Sequence, residues 1–175
     1  MCIANEAERV IFFHGQLLTE KDFTTEQQYF IQKQRNHNRY LHGWGVVSRL
    51  AVTVQGTTVV VDPGVAIDCE GNDIILTRQV EQELPPDGKR LFVLVEYCEI
   101  ETGAVPTLPE PFPDDGDHAY TRIREGCEVK LSRTDPTEGH DGIGPGTPGC
   151  GQRHPITIAT LIYERSGWKV AQDAG

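Results

Sequence analysis

Cys127, His140, Cys150 and His154 supply two thiols and two imidazoles, the donor set from which zinc builds closed tetrahedral sites. Their spacing matches no standard finger, and Cys127 falls on the apolar phase of an alternating run, where a small thiol packs without a metal. The residues therefore predict no metal and no cofactor. His14, His37 and His42 flank a helical segment. Five residues of α-helix turn through about 500°, which sets the His37 and His42 rings about 140° apart, so a structural role is expected for them. Asp114-Asp115, or Asp62 with Asp68, have the form of paired acids for hydrolysis, yet among 26 acidic residues such pairs arise from composition alone. The Asp/Gly segment Asp135 to Gly146 lacks the alternating ligands and terminal Glu of a calcium loop. There is no Gly-x-Ser-x-Gly elbow and no Gly-x4-Gly-Lys-Ser/Thr phosphate loop. The expectation is a protein that is not an enzyme.

The chain that must position these groups has 175 residues, the size of one domain or of a domain with an arm. Apolar residues make up 38% and glycines number 18, so the core is thin. Sixteen basic against 26 acidic residues give a formal charge of -10, which disfavours phosphate backbones and anionic membranes as partners. No stretch approaches the roughly 18 apolar residues of a membrane span. Met1 to Gly15 has no basic segment leading an apolar one, so the chain is expected to stay in the compartment where it is made. The five cysteines, Cys2, Cys69, Cys98, Cys127 and Cys150, are odd in number and scattered, which predicts reduced thiols.

Residues 1–18 read as an extended arm with the apolar run Val10-Ile11-Phe12-Phe13, a turn at His14-Gly15, and Leu17-Leu18. Thr19 with Asp22 forms a capping-box variant, so a helix begins near Glu20. It runs without Pro or Gly to Leu41, and Gly43 and Gly45 stop it. Strands are expected over 46–54 and 57–62, parted by Gln55-Gly56, then over 65–67, 73–77, 91–97, 123–131, 156–163 and 168–171. The fold class is α+β: an N-terminal arm and one long helix (1–45), then a mainly antiparallel β-sandwich or small barrel (46–175). Two long loops, 103–119 and 133–155, interrupt it with Pro, Gly and Asp.

Phe23, Gln27, Phe30, Gln34, His37 and Leu41 are spaced 4, 3, 4, 3, 4, an a/d seam of which half is polar. Gln and His around a symmetry axis can satisfy one another and fix register, which favours a homo-oligomeric coiled-coil bundle. The other solution is a single helix half-buried on a sheet with its Gln side chains solvated. Trp44, between Gly43 and Gly45, is either a wedge at the helix-to-sheet joint or a partner contact.

The run Phe12 to Phe23, with Glu26-Gln27, Tyr29 and His37 to Val47, resembles the opening of phage-tail-like proteins, tail or baseplate components of bacterial contractile injection systems. The likeness continues more loosely through Val61 to Asp68, Gly71, Tyr97 and Thr121 to Glu125, about three quarters of the chain. Ser48-Arg49-Leu50 stands where that pattern has Cys-Gly-Leu, and Glu70 follows Cys69 where a second Cys or a small residue is common, so no family cysteine pair is carried over. The resemblance implies a structural or adaptor component near the baseplate or tail fibre. Its partners would be itself, most simply as a trimer, and other tail proteins; it would be made in the bacterial or phage-host cytoplasm and then incorporated into a particle. The residues alone also fit a free-standing module whose long loops bind a carbohydrate or a surface protein.

Overall fold

The structure, a computed structural model, describes residues 7–106, 118–140, 147–165 and 167–171. The loop expected over 103–119 and the segment 135–146 lie partly outside these residues, as do Cys2 and Asp114-Asp115.

Helix α1 spans Glu20–His37. Its start is fixed as the capping box requires: the Asp22 carboxylate accepts the Thr19 N–H and hydroxyl, each at 2.7 Å. Not one α1 residue is buried. The helix expected to reach Leu41 ends as α-helix at His37 and continues as a π turn, Asn38–His42. Gly43, at φ 78, closes that turn by donating its N–H to Asn38 O at 3.0 Å.

Among the described residues, ten antiparallel strands follow in three sheets. Strands β1 (Gly45–Arg49), β4 (Gly64–Ile67) and β5 (Asp73–Leu76) form the first, in order β1-β4-β5. Strands β2 (Val52–Gln55), β3 (Thr58–Val61) and β6 (Val80–Glu83) form the second, in order β2-β3-β6. The third takes β7 (Arg90–Pro106), β8 (His118–Ser132), β9 (Ile156–Glu164) and β10 (Gly167–Val170) in order β10-β9-β7-β8. The result is mostly β with one helix, within the expected α+β class.

The run 46–54, expected as one strand, is broken: Arg49 and Leu50 both have left-handed backbones, φ 59 and 58. That corner sends β1 to one sheet and β2 to another and buries the Leu50 side chain. The hairpin at Gln55-Gly56 forms as expected, with Gln55 paired to Thr58 and Gly56 at φ 62. Residues 103–106 and 118–119, read as loop, instead extend β7 and β8 into a long ribbon whose pairing runs from Phe92↔Ser132 to Pro106↔His118. Proline is tolerated at that strand end because no ladder donor is needed there.

Val59, Val61, Ile74, Val93, Val95, Ile156 and Leu161 are fully buried and make the centre of the core, with Trp44, Cys69 and Trp168 at its edges. The Trp168 indole N–H donates to Pro85 O at 2.7 Å, which lets a large ring close the core with its polar atom satisfied. Among the described residues no helix is long and apolar enough to cross a membrane.

Candidate functional site

The turn between β4 and β5, Asp68 to Asn72, is built around a buried carboxylate. Asp68 Oδ1 accepts the N–H groups of Glu70, Gly71 and Asn72 at 2.9, 2.8 and 2.9 Å, and its Oδ2 accepts the Asn72 amide at 2.8 Å. Four donors satisfy the buried carboxyl group, which makes Asp68 the organiser of the turn. Asp62, the other half of that sequence pair, is exposed.

Onto this turn docks the end of α1. Arg35 Nε donates to Asn72 Oδ1 at 2.8 Å, and its guanidinium pairs with Glu70 at 3.0 Å. Buried Asn38 donates to Gly71 O at 2.9 Å and to Asp73 Oδ1 at 3.0 Å, and accepts the Gln34 amide at 3.2 Å. Gly71 sits at φ 98, and a Cβ there would come within 2.3 Å of Arg35 O, so only glycine allows the approach.

Beside the turn lies the second long loop. It is anchored where Asp135 accepts from Thr137 N–H and hydroxyl and from the Thr157 hydroxyl. Burial alone would raise the Asp135 pKa; the hydrogen bonds from Thr157 and Thr137 outweigh it and hold the carboxyl below its ordinary value. Farther on, Arg39 Nε donates to Pro148 O at 3.2 Å. Gly149 (φ 68) and Gly151 (φ 77) curl the backbone around Cys150; a Cβ on Gly149 would lie 2.8 Å from Cys69 Sγ.

These constraints bring Cys69, His140, Cys150 and His154 together, with one ligand atom from each lying within 4.8 Å of every other. Cys69 Sγ is 3.5 Å from His140 Nδ1, and Cys150 Sγ is 3.3 Å from His154 Nε2. His140 packs edge-on between Trp44 and His154, at ring separations of 5.5 and 4.8 Å. Burial pushes the Cys69 thiol up to about 11, while the Cys150 backbone N–H pulls the other way.

Three of the four zinc candidates named from the sequence are thus assembled, but Cys69 stands where Cys127 was considered. The Cys127 thiol lies on the sheet, 3.5 Å from Ile75 O, and burial raises its pKa. His140, Cys150 and His154 share one loop and could be grouped from the sequence; Cys69 was missed because it comes from a turn 71 residues before His140. All four described cysteines, Cys69, Cys98, Cys127 and Cys150, are free thiols.

The histidine geometry expected from an α-helix is corrected by the π turn. His37 and His42 approach to 3.3 Å between their Nε2 atoms because the wider turn returns residue i+5 to the face of residue i. Both are exposed.

A second candidate surface runs along the arm and α1. All six residues of the a/d seam, Phe23, Gln27, Phe30, Gln34, His37 and Leu41, are exposed, the three apolar ones at 55%, 62% and 58%. Ile11, Phe12, Phe13 and Leu17 of the arm are exposed as well, and the arm is tied to the helix where Val10 N–H donates to Glu26 at 3.1 Å. At the joint, Gly43, Trp44 and Gly45 are buried, with the Trp44 ring against His140.

No protein-family model matches the chain, and no curated protein matches it. Among solved structures it is similar to a chain of the type VI secretion system TssK-TssF-TssG baseplate subcomplex, at 10% identity and TM-score 0.50 over 95% of this chain. It is similar, with the same identity, score and coverage, to a chain of the baseplate complex from the type VI secretion system. The chain spans 60% and 58% of the length of those two neighbours. What is shared at this identity is the fold.

Proposed function

We propose that the protein is a structural component of a contractile injection particle, assembled at its baseplate with copies of itself and with other baseplate proteins, and that it catalyses no reaction. The observation that carries this reading is α1: 18 residues, none buried, with Phe23, Phe30 and Ile31, and Leu41 of the π turn after it, open to solvent beside an equally apolar arm. A helix of this length is marginal alone and takes its stability from an apolar face packed on something. Among the described residues, the β-domain holds the C-terminal end of the helix through Arg35 and, in the π turn, Asn38. The remaining face is what an assembly partner would cover, and its half-polar seam suits a bundle of this same helix; the threefold state is what the resemblance to tail proteins implies. The fold shared with chains of type VI baseplate complexes supports the particle setting.

The test is a pair of substitutions on the exposed seam, Phe23→Glu with Phe30→Glu. Both side chains face solvent, so the melt of the β-domain should stay within about 0.5 kcal/mol of the parent while self-association and capture by neighbouring baseplate proteins are lost. Association that survives the double change would move the interface elsewhere. A glycan or surface-protein ligand bound by the isolated chain, with no self-association, would favour a free binding module instead.

A further inference from the structure

We propose that Cys69, His140, Cys150 and His154 bind one zinc ion, a structural centre that pins the Gly/Pro-rich loop to the β4–β5 turn and so fixes the root of the helix. The donor set is two sulfurs and two imidazole nitrogens, which suits zinc over the hard cations that take oxygen. A tetrahedral zinc with bonds of about 2.0–2.3 Å holds its ligand atoms about 3.3–3.8 Å apart. The pairs Cys69 Sγ to His140 Nδ1 at 3.5 Å and Cys150 Sγ to His154 Nε2 at 3.3 Å already have that separation.

The surroundings orient the donors toward one point. The other ring nitrogen of His154, Nδ1, lies 2.7 Å from Pro155 O; as the donor it leaves the Nε2 lone pair facing Cys150, the outer hydrogen bond that metal-bound imidazoles usually make. Gln152 N–H donates to Cys150 Sγ at 3.4 Å, a backbone donor suited to a metal-bound sulfur. Gly149 and Gly151, both at positive φ, give the sharp bend around Cys150 and leave room for Cys69 and for the Arg39 guanidinium. Four protein ligands leave no open position for water, so the site holds structure and does no catalysis.

Its mechanical consequence follows from where the ligands sit. Cys69 belongs to the turn that Arg35 and Asn38 grip, His140 rests on Trp44, and Pro148 of the same loop accepts from Arg39. One ion would therefore join this loop, the β4–β5 turn and the helix-to-sheet joint. This inference stands apart from the assembly reading, since it concerns the single chain.

The experiment uses the full chain, produced in zinc-replete medium and purified without chelator, with metal content read by elemental mass spectrometry and the site read by cobalt substitution. One zinc per chain is expected, and cobalt should give the ligand-field and thiolate charge-transfer bands of a tetrahedral two-sulfur, two-nitrogen site. Cys150→Ser with His154→Ala should lower zinc content at least tenfold, whereas Cys127→Ser should leave it unchanged. Should the double variant fail to fold, His154→Cys keeps four ligands and should strengthen the thiolate charge-transfer band. A folded full chain with neither zinc nor cobalt bands overturns the proposal, as does a Cys69–Cys150 disulfide in its place. Zinc retained by the folded double variant, or a cobalt spectrum unmoved by His154→Cys, would overturn it too.

Discussion

Replacing Asn38 probes the junction on which the position of the helix depends. Its side-chain amide donates to Gly71 O at 2.9 Å and to Asp73 Oδ1 at 3.0 Å, and the residue is only 4% exposed. A net hydrogen bond to a neutral carbonyl contributes about 0.5–1.5 kcal/mol and one to a charged group about 1.5–3 kcal/mol. Asp73 is half-buried and can recover part of its loss from water, which places Asn38→Ala at about 2–4 kcal/mol. For a domain of this size that is a fall in Tm of roughly 5–15 °C. Asn38→Asp keeps the shape but turns an oxygen toward both Gly71 O and the Asp73 carboxylate, so it should cost at least as much as the alanine. Calorimetric melts of both variants, with amide exchange of Gly71 to Asp73 and of residues 34–38 as the local readout, decide the matter. An aspartate variant that melts with the parent would refute the hydrogen-bonded junction.

Three further outcomes are expected. Arg49 occupies φ 59, a region that costs a residue with a Cβ about 1–2 kcal/mol, so Arg49→Gly should raise stability by up to about 1 kcal/mol once the greater freedom of the unfolded glycine is deducted, as a denaturant midpoint would show. Trp44 is buried, so Trp44→Ala should lower stability by about 3–5 kcal/mol; an unchanged melt with lost assembly would make it a contact residue instead. The Asp135 carboxyl is depressed below its ordinary value of 3.8, so the stability it confers is present above that pH and is lost as the pH falls through its lower folded value; melts between pH 5 and 2 should fall less steeply in Asp135→Asn, which takes up no proton.

Much of this was legible where a local signal decides the local structure. Thr19 with Asp22 marked the start of the helix, and Gln55-Gly56 marked the β2–β3 hairpin. The apolar run Ile156 to Tyr163 was expected as a strand and forms β9. What was not legible depended on contacts distant in sequence or on conformations that residue type conceals. Nothing in Arg49-Leu50 signals two left-handed residues, so the corner between β1 and β2 was hidden inside a segment free of Gly and Pro. Gly103 and Pro106 read as loop because their composition suits a turn, whereas pairing with β8 holds them in the ribbon. The π turn changed which histidines meet, because its phase follows the docking of Asn38 on a turn far along the chain. Of the Cys/His cluster, His140, Cys150 and His154 were named from the sequence; Cys69 completes it only once β4 and β5 are folded.

Sedimentation equilibrium of the full chain across the micromolar range tests the assembly role most directly. The exposed seam of α1 predicts self-association, and the resemblance to tail proteins implies a species of three times the 19.5 kDa chain mass that returns to monomer with Phe23→Glu and Phe30→Glu. A parent chain that stays at 19.5 kDa at every concentration, alone and with neighbouring baseplate proteins added, would contradict it.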